Sequence, residues 1–152
     1  MRAVIQRVTS AKITINHTIE RHIGPGFLVL LGIEEEDDIE DVKWLSQKVL
    51  NMRIFSDQDG KMNLGLNEVN GDILLVSQFT LFASTRKGNR PSFIKSAKPL
   101  HAIPLYEAFI KELTVNISDK QNLQTGEFGA DMQITLTNDG PVTIIIDSKI
   151  KE

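Results

Sequence analysis

The chain has 152 residues, of which 41% are hydrophobic and 24% are charged, and it contains no cysteine. These proportions are those of one ordinary globular domain, and the missing thiols exclude a disulfide scaffold, a thiolate zinc site and a cysteine nucleophile. Seventeen Lys and Arg against twenty Asp and Glu give a formal charge of −3, which excludes a bulk positive field and leaves only a local patch to hold a polyanion.

The chain contains no internal repeat, low-complexity stretch or linker, so we predict a single domain over residues 1–152. The longest apolar run, residues 26–33, is far shorter than the ~20 residues that cross a bilayer. Residues 1–7 lack the long apolar core of a signal peptide. We therefore expect a soluble cytoplasmic protein that has no membrane partner.

The first third of the chain predicts two strands and a helix. Residues 2–16 are rich in Val, Ile and Thr and alternate as a half-buried strand does. Residues 27–33 are continuously apolar, as in a central strand covered on both faces. From residue 39 to residue 52, apolar side chains recur at steps of three and four, which predicts a helix. The acidic run 34–38 suits the start of that helix, and we interpret it as a solvated turn rather than a metal site.

The rest of the chain predicts further strands and a second helix. Residues 53–56 form a short strand candidate, and residues 73–76 form a buried one. Pro104 is predicted to open the second helix at its favoured first position. Residues 132–137 and 142–147 alternate as two strands, which we expect to form a hairpin.

This order of elements decides the predicted fold class. A regular alternation of strands and helices would indicate a doubly wound parallel sheet, whereas here strands predominate and two helices are inserted separately. We predict an α+β fold with a curved, partly barrel-like, mainly antiparallel β-sheet and two principal helices.

The buried strand 73–76 is followed directly by Ser77, Gln78, Phe79 and Thr80. Hydroxyls, an amide and successive backbone N–H groups at a strand end can stabilise an oxyanion during acyl transfer. The same side chains can instead satisfy backbone groups where the strand ends, and the sequence leaves both interpretations open. The three histidines lie elsewhere, at spacings that suggest neither a Ser-His-Asp triad nor a shared metal site, so we predict no metal and no cofactor.

Residues 86–95 carry four positive charges in a chain that is otherwise slightly acidic, and Phe93 lies among them. Such a segment suits phosphate contacts, for which Lys87 and Arg90 are the candidates, together with stacking on an unpaired base. A solvated basic loop is the alternative.

Gly140 and Pro141 lie between the last two predicted strands. Because proline cannot donate to a strand ladder, this pair indicates a tight turn at a hairpin tip, where a cis bond can occur. The functional alternative is a rigid loop whose carbonyl groups point toward a ligand.

Several segments together resemble the D-aminoacyl-tRNA deacylase family. They are residues 75–81, 86–93, 128–132 and 138–143, in this order, with the opening 1–8 and the stretches 51–55 and 60–64. The resemblance covers essentially the whole chain, and several motifs in the right order are far more specific than any one of them.

The resemblance implies an enzyme that hydrolyses the ester between a D-amino acid, or a mischarged glycine, and the 3′ terminal ribose of tRNA. This activity is chiral proofreading in translation. It also implies a homodimer in which Gly140 and Pro141, joined by a cis bond, cross into the active site of the other subunit. There their backbone carbonyls would reject the side chain of an L-amino acid.

The resemblance also implies roles for individual residues. Catalysis at the ester carbonyl is expected of Ser77, Gln78, Phe79 and Thr80. Substrate binding is expected of Phe128, Gly129, Ala130 and Met132, with Gly140 and Pro141, and tRNA binding of Lys87 and Arg90. We expect an activated water, assisted by the neighbouring ribose hydroxyl, with backbone N–H groups near Phe79 and Thr80 holding the oxyanion.

Three alternatives remain at this stage. Thr80 could act as a covalent nucleophile, although no base is evident to activate it. The chain could be a noncatalytic tRNA-binding module that holds an aminoacylated end in the same pocket. A small-molecule hydrolase indifferent to RNA is disfavoured by the basic segment 86–95.

Overall fold

The structure is a computed structural model that describes residues 1–151. The elements follow the order β1 (Arg2–Ile15), β2 (Ile19–Ile23), β3 (Gly26–Gly32), α1 (Ile39–Leu50), β4 (Phe55–Ser56), β5 (Met62–Leu64), β6 (Asp72–Ser77), a 3₁₀ turn (Phe79–Phe82), α2 (Pro99–Asn116), β7 (Leu123–Thr125) and β8 (Met132–Asp147). Within the described residues, neither helix combines the length and the apolar character needed to span a membrane.

One six-stranded sheet carries the fold, with neighbours in the order β2-β1-β3-β6-β7 and with β8 on the other side of β1. The pairings of β1 are antiparallel, whereas β3–β6 and β6–β7 are parallel. Side chains also link the two ends of this path, because Arg21 donates to the Thr125 carbonyl and Asn122 to the His22 carbonyl. The prediction of an α+β fold with a curved, partly barrel-like sheet and two helices is confirmed.

The two middle strands are buried on both faces, as the apolar run 27–33 predicted. On one face of the sheet, Phe27 and Leu75 belong to a core that the helices cover with side chains such as Leu45 and Phe109. On the other face, Leu28, Leu74 and Val76 pack with the inward side chains of β1. Helix α1 begins at a capping box, in which Asp38 and Asp41 each accept from the backbone of the other.

The predicted start of the second helix at Pro104 is wrong, because α2 begins one turn earlier at Pro99. Pro99 takes the first-turn position that suits proline, and Pro104 lies inside the helix. A proline there leaves the carbonyl four residues earlier without its helical donor. That residue, Leu100, is 92% exposed, so water can replace the missing donor.

The predicted hairpin between residues 132–137 and 142–147 is also wrong. Both segments belong to β8 and pair with β1 along its length, from Ile15 opposite Met132 to Arg2 opposite Asp147. The register shifts on either side of Val8, so residues near Gly140 and Pro141 form a bulge instead of a hairpin tip. Proline is tolerated there because β8 is an edge strand that pairs only with β1 among the described residues.

Gly26 gives the sharpest test of this packing. A Cβ atom at this position would lie 2.0 Å from the Asp72 carbonyl oxygen, across the parallel β3–β6 pairing. We predict that Gly26→Ala lowers the free energy of unfolding by about 2 kcal/mol or more, because two backbones must separate. At Gly24 a Cβ would lie 3.5 Å from Asp72 Oδ2, an ordinary contact.

The matched variant Gly24→Ala should therefore stay within about 1 kcal/mol of the unaltered chain in urea unfolding. Equal stability of the two variants would contradict the close approach of β3 and β6.

Candidate active site

A cavity of about 360 Å³ opens at the carboxyl end of β6. It brings together seven of the residues expected from the sequence, namely Ser77, Gln78, Phe79, Phe128, Gly129, Ala130 and Met132. The other lining residues, which sequence reasoning missed, are Leu31, Ile33, Val76, Ala97, Ala102, Asp131 and Ile134. The site therefore has an apolar floor with polar groups concentrated at the end of β6.

The chain turns sharply where β6 ends. The Gln78 amide donates to the Leu31 carbonyl over 2.7 Å, and the chain then enters the 3₁₀ turn. The first N–H groups of a helical turn have no partner inside it. Among residues 1–151, neither the Phe79 N–H nor the Thr80 N–H meets a hydrogen-bond acceptor. Two adjacent backbone donors are thus left free beside the cavity.

Thr80 does not line the cavity itself. Its hydroxyl accepts a hydrogen bond from Gln78 Nε2 over 2.6 Å. Gln78 therefore holds the Thr80 side chain while Phe79, which is 55% exposed, lies at the cavity wall.

The opposite wall, residues 128–132, is held by the tip of the β1–β2 hairpin. Asn16 and Asp131 exchange two hydrogen bonds, from the Asn16 amide to the Asp131 carbonyl over 2.9 Å and from the Asp131 amide to Asn16 Oδ1 over 3.2 Å. At the rim, His17 Nε2 lies 3.0 Å from Asp131 Oδ2. No local sequence signal relates residues 16 and 131, because the contact depends on the register of two strands.

Tyr106 supports the same wall from behind. Its hydroxyl donates to the Leu75 carbonyl over 3.1 Å, and its ring meets Phe128 edge-on at 6.1 Å between centroids. Burial raises the pKa of Tyr106, so the phenol remains a neutral donor. Helix α2 is thereby tied to the strand that ends at Ser77.

Asp131 supplies the one carboxylate among the described residues that line the cavity. Within residues 1–151, none of the histidines lines it, and no three His, Asp or Glu side chains are grouped as a metal site would require. What the site offers chemically is a pair of free backbone donors, two hydroxyls and an amide.

The basic segment lies beside the cavity, although Lys87 and Arg90 do not line it. Both are exposed, and neither forms an ion pair with any residue that the structure describes. Phe93 joins the segment to the site, because its ring meets Phe79 edge-on at 5.1 Å. An exposed aromatic pair thus lies between the free cations and the cavity.

Gly140 and Pro141 are exposed and do not line the cavity of their own chain. Their peptide bond is cis. Gly140 lies eight residues from Met132 along β8, a contour length of at most roughly 26 Å. The Arg7 side chain lies next to Gly140, and its Nη1 donates a hydrogen bond to the Ile54 carbonyl. Its Nε lies 2.9 Å from Asp139 Oδ2, an ion pair that lacks the alignment of a hydrogen bond.

A family model described as D-Tyr-tRNA(Tyr) deacylase matches residues 4–147 of this chain. The chain belongs to this family. Proteins named D-aminoacyl-tRNA deacylase from Akkermansia muciniphila and Flavobacterium psychrophilum are 59% and 55% identical to it, with each alignment covering 100% of both chains. The resemblance stated from the sequence is confirmed, as is the expectation that the chain is a deacylase enzyme.

Two solved structures share the fold. A c-Myc DNA Unwinding Element Binding Protein superposes with a TM-score of 0.89 at 38% identity, covering 97% of this chain and 98% of that one. A probable eukaryotic D-amino acid tRNA deacylase superposes with a TM-score of 0.80, covering 95% of this chain and 97% of that one. Because the two sequences are only 17% identical, this similarity shows the fold alone.

Proposed function

We propose that this enzyme hydrolyses the ester bond of D-aminoacyl-tRNA and of mischarged glycyl-tRNA, releasing free tRNA and the amino acid in the cytoplasm. Family membership supports the ester of a charged tRNA as the substrate. The observation that carries the proposal is the pair of free N–H groups of Phe79 and Thr80 beside a cavity of about 360 Å³. Free backbone donors at such a place suit an oxyanion that develops during acyl transfer.

The reaction uses water as the nucleophile. Water attacks the ester carbonyl, the negative charge of the tetrahedral intermediate is held by the Phe79 and Thr80 N–H groups, and the ribose oxygen leaves. The proton that the attacking water loses passes through the neighbouring ribose hydroxyl to the leaving ribose oxygen, because the described cavity contains no histidine that could carry it. Thr80 as a covalent nucleophile is disfavoured, since its hydroxyl is bonded to the Gln78 amide, which is not a base.

Chiral selection is assigned to Gly140 and Pro141 of the partner subunit. Gly140 and Pro141 do not line the cavity of their own chain, which supports a contribution from a second copy. The outer edge of β8 is unpaired among the described residues, and the Ile145 side chain on this strand is 67% exposed. Both features support an interface with a second copy at β8. Backbone carbonyls reject an L side chain by collision whatever its type, so D-amino acids of any size can be accepted.

The acceptor end of the tRNA is assigned to the surface between the basic segment and the cavity. Lys87 and Arg90 are placed to contact phosphates, and the exposed Phe79 and Phe93 rings offer a surface on which an unpaired base can stack. The formal charge of −3 disfavours general binding to DNA through a bulk positive field.

The filter predicts a chirality-dependent rate. D-tyrosyl-tRNA, D-aspartyl-tRNA and glycyl-tRNA should be hydrolysed at similar kcat/KM, and L-tyrosyl-tRNA at least about 100-fold more slowly. Spontaneous hydrolysis of each ester without enzyme is the control. Equal rates on the D- and L-tyrosyl esters would contradict the filter, and binding without hydrolysis would favour the noncatalytic module.

The water mechanism predicts a mild effect at Thr80. Thr80→Val removes the hydroxyl and keeps the shape and the backbone N–H, so at least about a tenth of the activity should remain, whereas loss of a nucleophile costs on the order of a millionfold. Mass spectrometry of the unaltered enzyme during turnover is the direct check. An aminoacyl ester on Thr80 would overturn the water mechanism.

The tRNA surface predicts a change in salt dependence. Replacing Lys87 and Arg90 with Ala should weaken tRNA binding and lower the slope of log affinity against log salt by about one per lost phosphate contact. The matched variant replaces Lys61 and Lys120, two exposed lysines outside the basic segment, and removes the same charge. An equal slope for both double variants would place the tRNA elsewhere.

The shared site predicts complementation between two inactive subunits. Pro141→Trp places a bulky side chain where the loop enters the partner's site and so blocks that site, and Phe79→Pro removes one of the free N–H donors at the first position of the 3₁₀ turn, which suits proline. After verified subunit exchange, an equal mixture should recover up to about a quarter of the unaltered activity, since half the dimers are mixed and each has one intact site. No recovery would mean that each site is built within one chain.

A further inference from the structure

Ser96 makes a contact that the proposed reaction has not yet used. Its hydroxyl donates to the carbonyl oxygen of Phe79 over 2.8 Å, linking two segments that are 17 residues apart in sequence. The residues around Ser96 are themselves anchored, because the Ala97 amide donates to the Ile33 carbonyl over 2.9 Å and Ser96 forms a bridge with Glu34. The hydroxyl is therefore presented from a fixed backbone.

The carbonyl of Phe79 and the N–H of Thr80 belong to the same planar peptide group. A donor held on the carbonyl oxygen fixes the orientation of the whole plane, and thus the direction of the Thr80 N–H. It also polarises the group, because hydrogen bonds in a chain strengthen one another, so the N–H becomes a better donor.

The preceding peptide group is arranged in the same way by backbone alone. The Gln78 carbonyl accepts from the Leu81 amide over 3.3 Å, and this peptide carries the Phe79 N–H. Both free N–H groups thus belong to peptides whose carbonyls are bonded on the far side. The Ser96 hydroxyl is the side-chain contribution to this arrangement.

We propose that Ser96 is a positioning residue for deacylation, which orients and polarises the Phe79–Thr80 peptide so that the Thr80 N–H can stabilise the oxyanion. The proposal rests on the proposed function, in which that N–H is one of two donors to the developing charge.

The test compares Ser96→Ala with Ser96→Thr, which keeps a hydroxyl. On D-tyrosyl-tRNA, Ser96→Ala should lower the single-turnover rate about tenfold, less than the 100-fold or more lost with a whole oxyanion donor, while changing tRNA affinity by less than about twofold. Ser96→Thr should recover most of the rate. Thr114→Ala is the matched control, because it removes the same kind of hydroxyl-to-carbonyl hydrogen bond, 2.8 Å long, from α2.

A second readout reports the peptide itself. The amide nitrogen and proton resonances of Thr80 should shift in Ser96→Ala and return toward their original positions in Ser96→Thr, with Thr114→Ala leaving them in place. Unchanged Thr80 resonances, an unchanged rate, or a loss confined to tRNA affinity would each overturn the positioning role. If the unaltered enzyme fails to hydrolyse D-tyrosyl-tRNA, the proposed function fails separately, and the Thr80 resonances still decide whether Ser96 polarises this peptide.

Discussion

The close parallel pairing of β3 and β6 is the constraint on which the rest of the structure depends. Both strands are buried on both faces, and their backbones approach so closely at Gly26 that a Cβ would lie 2.0 Å from the Asp72 oxygen. Two cores, one under the helices and one inside the curved sheet, pack on this pair. The pairing continues to Leu31 opposite Ser77, so it fixes where β6 ends and the site begins.

The site follows from this ending by elementary backbone chemistry. A strand that stops beside a cavity and enters a short helical turn leaves its first N–H groups without partners, and here those groups are on Phe79 and Thr80. These N–H groups are already oriented before the reaction, and preorganised donors of this kind stabilise a developing oxyanion. In the proposed reaction these backbone donors hold the developing charge, and the proposed filter tolerates different amino acids because backbone rather than side chains makes the selection.

Much of the fold could be predicted from sequence, because β1 and α1 show a clear periodicity and β3 and β6 are continuous apolar runs. The predicted bounds were wrong where contacts between residues far apart in sequence determine the structure. The second helix was predicted to begin at Pro104, whereas it begins five residues earlier at Pro99. The two halves of β8 looked like a hairpin because nothing local shows that β1 is long enough to pair with both. The short strands β2, β5 and β7 were missed for the same reason, and so were Asp131 and Ser96, whose contacts with Asn16 and Phe79 cross long stretches of sequence.

The central claim is that the carbonyl under attack lies against the Phe79 and Thr80 N–H groups. The most direct measurement is a crystal structure with a D-tyrosyl adenosine whose ester is replaced by a nonhydrolysable amide. The account predicts the amide oxygen within about 3 Å of both nitrogen atoms, and the α-carbon facing Gly140 of the partner subunit. An analogue bound in the same cavity with its carbonyl turned away from these two groups would contradict it.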